Sequence, residues 1–359
     1  MVKAGDDMKT AIIGAGACGI LLASLLDDNK YDYTLFNKGK IGNKILASGN
    51  GRCNISNLNY DGNKYHDNKL ALRVLSENKD DFFNLLNVYK IYTKADSEGR
   101  MYPISESSLS VLNVMLKHIS KKIVEAEILT IDRKNDGYYL NNSYGPYDNV
   151  VIATGSNASY KSGYNYLNII KKLKFNEFKP SLVGFQTNLK LKEISGSRSK
   201  CMAYLYNDNK LIYSEEGEVI YKDNGISGIC IMNLSSYYAK LKKINNPYVK
   251  LDLAYNCEYD CYETVLQPKL YNYVLKNKIN PHSFIIPIVK TYDFLFAQVC
   301  SGGIDISEIN DNLSLKKYPN IYVGGEIIDV DGVCGGFNLM FAFSCAIKIF
   351  KELVKWNIK

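Results

Sequence analysis

Histidine is nearly absent from this 359-residue sequence, and His66, His118 and His282 stand apart from one another and from other ligand-type residues. A metal centre is therefore not expected, and each histidine is read as a surface or satisfied core residue. The nine cysteines lack the spacing of a disulfide framework, and Cys257 and Cys261 have no second pair beside them, so reduced thiols are expected. The opening residues show no basic start followed by an apolar core and a cleavage site, so no export signal is expected. The apolar stretches at 11–26 and 333–347 are too short to span a bilayer. Together these absences point to a cytoplasmic protein with no membrane partner. Arginine is scarce, so the net charge of +7 comes mostly from lysine. Lysines cluster at Lys121-Lys122, Lys171-Lys172-Lys174, Lys240-Lys242-Lys243 and Lys316-Lys317. They read either as solvated helix faces or as a basic surface for RNA phosphates, with DNA not expected. No internal repeat and no low-complexity tail is seen.

What is present is a turn of the form G-x-G-x-x-G, Gly14 to Gly19, between an apolar run at 9–13 and a helical one at 17–26. Gly14 permits the tight turn, Gly16 lets backbone N–H groups approach a pyrophosphate, and Gly19 allows close helix–strand packing. The next strand, 33–36, is closed by Asn37 and Lys38, where a dinucleotide fold usually places an acid for the ribose. Asparagine still accepts one such bond, without charge. Segments 80–88 and 109–124 have helical spacing; 128–132, 138–140 and 150–153 are strand-like, with Asn135-Asp136-Gly137 as a hairpin turn. From 182 to about 265 the pattern changes to short strands and turns with few helical periods, which suggests an inserted β-rich domain. Residues 261–278 look helical. After Pro287 the α/β character returns, with a strand at 320–324 and a closing helix at 338–356.

Two further strand-end turns sharpen the cofactor. Thr154-Gly155 would lie near the adenosine half. Gly324-Gly325-Glu326 offers an acid for ribityl hydroxyls, which a flavin dinucleotide has and a nicotinamide dinucleotide lacks. Gly335-Gly336-Phe337-Asn338 opens the final helix, whose N-terminus would face the flavin N1–C2=O edge. With the glycine-and-polar loop from Lys44 to Asn57, the set reads as a site for FAD.

The segments AIIGAGACG, KILASGNGRCNISN, EGRMYPISESSLSVLNVML, VVIATGS, GEVIYKDNGISG, SGGIDISEIN and YVGGEIIDVDGVCGGFNLMFAFSCA run in order from near residue 10 to near residue 350. They resemble the aminoacetone-oxidase-like FAD-binding flavoprotein family of NAD(P)/FAD-dependent oxidoreductases, which includes ribosomal RNA dihydrouridine synthase-like members. The resemblance implies an α/β fold with a discontinuous FAD-binding Rossmann-like domain, 1–181 and 291–359. It also implies an inserted β-barrel-like domain, 182–290, with a shortened helical insert near 257–283. The loop Lys44, Ser48, Gly49, Gly51, Arg52, Cys53 and Asn54 is expected to wrap the pyrophosphate-to-flavin region, with Arg52 on phosphate or the flavin edge. Asn37 stands where family members carry glutamate, and Ser156 replaces a glycine. Cys53 has two readings: a small packing residue, or a proton donor or thiolate beside the flavin.

No second G-x-G-x-x-G follows the first, so a dedicated nicotinamide domain is not expected, and NAD(P)H would visit the flavin face transiently. An FAD-dependent oxidoreductase is the first reading. One branch implied by the resemblance is reduction of a uridine in ribosomal RNA to dihydrouridine, with hydride to C6 and an acid such as Cys53 at C5. The other is oxidation of a small amine or other metabolite. A non-enzymatic, flavin-bearing RNA-binding or assembly factor is the alternative of a different class. The turn Asp223 to Gly228 and Ser301-Gly302-Gly303 suit either a ligand or plain tight bends.

Overall fold

The computed structural model describes residues 8–66, 68–159, 165–257 and 262–354. The chain divides into two compact units, the first drawn from 1–156, 163–178 and 302–359 and the second from 157–162 and 179–301.

The first unit is built on a six-stranded sheet. β1 (Lys9–Ile13) buries Ala11, Ile12 and Ile13 in succession, the mark of a strand covered on both faces. It pairs in parallel with β2 (Asp32–Asn37) on one side and Asn149–Ile152 on the other, and the latter pairs with Tyr318–Val323. Ile13 is level with Phe36 and Ile152, and Ile152 with Val323, so four turns leave one edge side by side. The connection from β1 to β2 is α1 (Ala17–Asp28), buried on almost every side. A closing helix, Phe337–Val354, packs on α1 and on Lys69–Val88. Phe82 stacks on Phe343 at 5.9 Å, and the buried Lys348 pairs with Glu77. Burial of each such large apolar side chain stabilises by about 1.5–3 kcal/mol.

Two helices depart from their sequence expectations. The first begins at Lys69, well before residue 80, because Asn68 Oδ1 accepts from Leu70 and Ala71 N–H at 3.1 Å and caps it. The second, Ser108–Lys117, ends early and Val124–Glu125 is a strand beside β2. The Asp27 carboxylate draws the chain out of the helix by accepting from Ser120 N–H (2.7 Å) and Ser120 Oγ (2.9 Å). The hairpin turn at Asn135-Asp136 is present between Ile131–Lys134 and Gly137–Leu140.

The second unit carries a seven-stranded antiparallel sheet whose edge strands are Phe284–Pro287 and Lys290–Thr291. Only Ile288 and Val289 separate those edges in the chain, so the sheet curls back upon itself, as a barrel-like insert requires. Its inner face holds Cys201, Ala203, Leu205, Val219, Val249 and Leu251. A helix, Ile229–Ala239, covers this core where the sequence shows few helical periods. Its buried residues lie all round it, which erases the amphipathic signal. The helix expected at 261–278 spans Pro268–Lys276, with proline in its first turn; Cys261 and Trp356 lie outside the described residues.

Asp305 of the first unit supplies a stability test. Burial alone would raise its pKa, but hydrogen bonds from Lys174 Nζ, Ser307 and Asn176 outweigh that and hold the carboxyl well below the usual range. A carboxyl depressed by folding contributes stability above its unfolded pKa of about 3.9, and the contribution fades as pH falls toward the folded value. Asp305→Asn should therefore cost about 1 kcal/mol in urea unfolding at pH 7. The gap from wild type should close as the pH is lowered below 4.

Candidate functional site

The edge at which the parallel strands end is where ligands bind in such sheets, beside the strand at which connections reverse direction. Here that strand is β1. Gly14 (φ +108°) donates to Phe36 O at 2.8 Å, and a Cβ on it would lie 2.4 Å from Ala153 O. A Cβ on Gly19 would lie 1.9 Å from Gly14 O. Gly16 differs, having no atom closer than 4.0 Å to an added Cβ. α1 opens with no side-chain cap and no acid in its first turn, so its N-terminal dipole is left for an anion.

Asn37 turns inward. Its Oδ1 accepts from Ala15 N–H at 2.9 Å and its Nδ2 donates to Gly39 O at 2.9 Å, so the amide braces the glycine turn. Lys38 reaches Glu127 at 2.8 Å, and Asn165 donates to the same oxygen at 2.7 Å.

The Lys44 loop docks on the turn through Gly42 N–H to Ala15 O, 2.9 Å. After the short helix Asn43–Ala47 the backbone is left-handed at Gly49 (φ +57°), Asn50 (φ +55°), Gly51 (φ +84°) and Cys53 (φ +62°). Ser48 Oγ donates to Ile45 O at 2.7 Å, and Cys53 N–H to Ser48 O at 3.0 Å. Arg52 lies over the Tyr102 ring at 4.8 Å and donates to Gly49 O at 3.3 Å. Cys53 has no exposed surface; burial pushes its thiol up to about 11, with the Ser48 hydroxyl pulling the other way.

Three of the strand-end turns meet in one side-chain network. Lys44 Nζ pairs with Glu326 Oε2 and donates to Ser156 Oγ at 2.9 Å, while Ser156 Oγ donates to Glu326 Oε1 at 2.7 Å. Lys44 and Glu326 are expected at the cofactor from the sequence, where Ser156 stands out only as replacing a glycine. Thr154, Gly155 and Gly325 form the backbone of these turns, and Gly155 is open around its Cα.

At the closing helix, Asn57 Nδ2 donates to Gly335 O at 2.9 Å, and Asn338 brackets Gly332, accepting from its N–H (2.8 Å) and donating to its carbonyl (2.9 Å). Asn54 faces Gly336, whose added Cβ would lie 2.6 Å from the Asn54 side-chain amide. Tyr65 OH donates to Phe337 O at 2.8 Å. His66 is not isolated: its side chain, 7% exposed, lies 4.0 Å from the buried Asp331. His118 meets Asp28 and His282 meets Asp252, each at 2.9 Å. Asn57 and His66 are neighbours that only the folded chain reveals, since nothing in their spacing links them to residues 331–335.

In the second unit the Asp223-Asn224 turn, with Gln186, Thr187, Lys190 and Lys192, lines an open cavity of about 520 Å³. The 301–303 segment is a close backbone approach: a Cβ on Gly302 would lie 2.4 Å from Glu177 O. Among the described residues no group of three His, Cys, Asp or Glu is arranged to hold a metal.

The open cradle at Gly16, the uncapped α1 and the acid at a neighbouring strand end together fit a flavin dinucleotide. The family described as HI0933-like protein Rossmann domain matches residues 8–350. A 3-dehydro-bile acid delta(4,6)-reductase from Clostridium scindens is 28% identical, covering 94% of this chain and 96% of that protein. A ribosomal RNA dihydrouridine synthase from Escherichia coli is 24% identical, covering 96% of this chain and 97% of that protein. Among solved structures, the open conformation of a flavocytochrome c3 fumarate reductase has a TM-score of 0.49 at 12% identity, covering 99% of this chain and 80% of that one.

The glycines make separable predictions. Gly19→Ala should destabilise the protein by about 3 kcal/mol, read from its unfolding midpoint in urea. Gly16→Ala should leave that midpoint near wild type while weakening FAD binding about tenfold or more, read by titration of the apoprotein.

Proposed function

The chain belongs to the HI0933-like Rossmann-domain family and is an FAD-dependent oxidoreductase, and we propose that it saturates a carbon–carbon double bond conjugated to a carbonyl. One observation carries this reading. Two relatives that align along nearly their whole length have names describing the same kind of bond change on unlike molecules. In a delta(4,6) diene conjugated to a 3-oxo group, as in the C5=C6 bond of uridine next to C4=O, the double bond that is saturated takes hydride at its carbon farther from the carbonyl and a proton at its nearer carbon.

Bound FAD supplies the hydride for such a reduction. The residues of the chain do the rest. The first turn of α1 would take the pyrophosphate, Glu326 would face the ribityl hydroxyls, and the positive end of the closing helix at Gly335-Gly336 would favour negative charge at the flavin edge. NAD(P)H is the reductant this reading requires, acting at the flavin face, as no second glycine turn of this kind exists in the sequence.

Of its two roles, Cys53 takes the packing one. Its side chain is fully covered, and its left-handed backbone shapes the loop. Ribosomal RNA remains one member of the substrate class. However, Lys121, Lys174 and Lys317, from three of the lysine clusters, are held by Asp32, Asp305 and Glu308. A small conjugated ketone is therefore the first substrate to try.

The holoprotein should be reduced by NADH or NADPH without oxygen and then reoxidised by a conjugated enone, with the saturated ketone as product. Reoxidation by uridine-containing ribosomal RNA alone would select the RNA member of the class. Flavin reduction by a small amine, with peroxide released in air, would overturn the proposal in favour of an oxidase. Cys53→Ala should retain turnover within about threefold, whereas loss of an essential proton donor would cost about a hundredfold or more.

A further inference from the structure

Arg52 is exposed, whereas the next residue, Cys53, is wholly buried, so one side chain leaves the fold where its neighbour enters it. Their loop is fastened at two points of the edge assigned above to FAD. Gly42 N–H meets Ala15 O in the glycine turn, and Asn57 Nδ2 meets Gly335 O at the closing helix, each at 2.9 Å. We propose that Arg52 is the anchor for an anionic group, a carboxylate or a phosphate, carried by the conjugated ketone that is reduced. Tyr102 is the positioning residue that holds its guanidinium in place. The proposal rests on the enone reading above and specifies the substrate within that class.

The strand that follows the loop, Ser56–Asn57, pairs with Arg100–Pro103, in which Met101 and Pro103 are buried and Tyr102 lies on the opposite, partly open face. That register brings the Tyr102 ring against Gly49, where an added Cβ would lie 3.2 Å from it, and under the Arg52 guanidinium at 4.8 Å. The second restraint is the Gly49 carbonyl, which accepts from both the backbone N–H (3.2 Å) and the Nε–H (3.3 Å) of Arg52. A guanidinium carries five N–H groups in one plane. One is spent on Gly49, and neither terminal nitrogen has an acceptor among the described residues. Glu106 feels the Arg52 charge, yet its ion pair goes to Lys94, which does most to hold that carboxyl below its ordinary range. A ring beneath one face and a tether at Nε therefore leave the outer fork open to solvent. That fork is the planar arrangement a carboxylate or phosphate meets with two parallel bonds. Holding it in place beforehand lowers the ordering cost of binding. The sequence assigns Arg52 to phosphate or the flavin edge; its outward course past Tyr102 instead suits a group arriving from solvent.

The test isolates the oxidative half-reaction. Full-length FAD-loaded protein is reduced with dithionite without oxygen. Flavin reoxidation is then followed with one cyclic enone whose side chain ends in a carboxylate, a phosphate monoester or a methyl ester. At low substrate, wild type should be reoxidised about tenfold faster or more by one or both anions than by the ester. Arg52→Gln should bring the anions down to the rate of the ester, and Arg52→Lys should recover only part of the difference. Tyr102→Leu should erode the preference about threefold, while Tyr102→Phe keeps it. Titration of the apoproteins with FAD should place Arg52→Gln within about threefold of wild-type affinity. Equal rates for the anions and the ester in wild type, an unchanged preference in Arg52→Gln, or a loss of FAD affinity of about tenfold in that variant would each overturn the anchor. The anion preferred by wild type identifies the group. A wild-type enzyme that none of the three reoxidises would remove the enone reading, and the anchor with it.

Discussion

No atom larger than hydrogen fits between Gly19 and the Gly14 carbonyl, and that restriction decides where α1 starts and how closely it lies on the sheet. Gly14 is held in turn against Phe36, which belongs to β2, and Ala153, which follows the strand Asn149–Ile152 on the other side. The glycine turn is thus the joint between three parallel strands and a helix. A shift in it would misplace the Lys44 loop, which hangs from Ala15 O, and the network that loop makes with the next two strand ends. Backbone contact, tight and intolerant of side chains, sets the frame; a few polar side chains then define its chemistry.

Those polar groups divide into two kinds. Asn37, Asn57 and Asn338 spend their amides on neighbouring backbone and hold loops in shape. Lys44, Ser156 and Glu326 bond to one another. The first kind resists deformation because buried backbone groups left without partners are costly. The second brings opposite charges together at the edge of the sheet where ligands bind in folds of this kind.

Much of the frame was legible in the sequence because glycine and apolar runs have local causes. The strand at β1, the turn after it and the closing helix follow from close packing and burial that leave direct marks on residue type. The helix Ile229–Ala239 was not legible, since a helix buried all round shows no alternation of faces. The early end of Ser108–Lys117 was not legible either, because its cause is a carboxylate at Asp27, far away in sequence. The same holds for His66, paired across the fold with Asp331, and for Ser156, whose partners lie 112 and 170 residues distant. Side-chain meetings of this range depend on register, which spacing does not encode.

The strand Tyr318–Val323 sits between Asn149–Ile152 and Ser314–Leu315, so the first unit's sheet is completed only after residues 179–301 have been made. During synthesis, β1, β2 and Asn149–Ile152 emerge with an uncovered parallel edge and without the closing helix over α1. The second unit draws most of its residues from one continuous stretch, 179–301, and all of its sheet lies within it. It can therefore mature while its neighbour waits. The late pairing closes a loop of more than 160 residues between Ile152 and Val323, a slow step by its entropy alone. That interval exposes a hydrophobic edge to chaperones and to other chains, which makes the order of translation part of how this fold is reached.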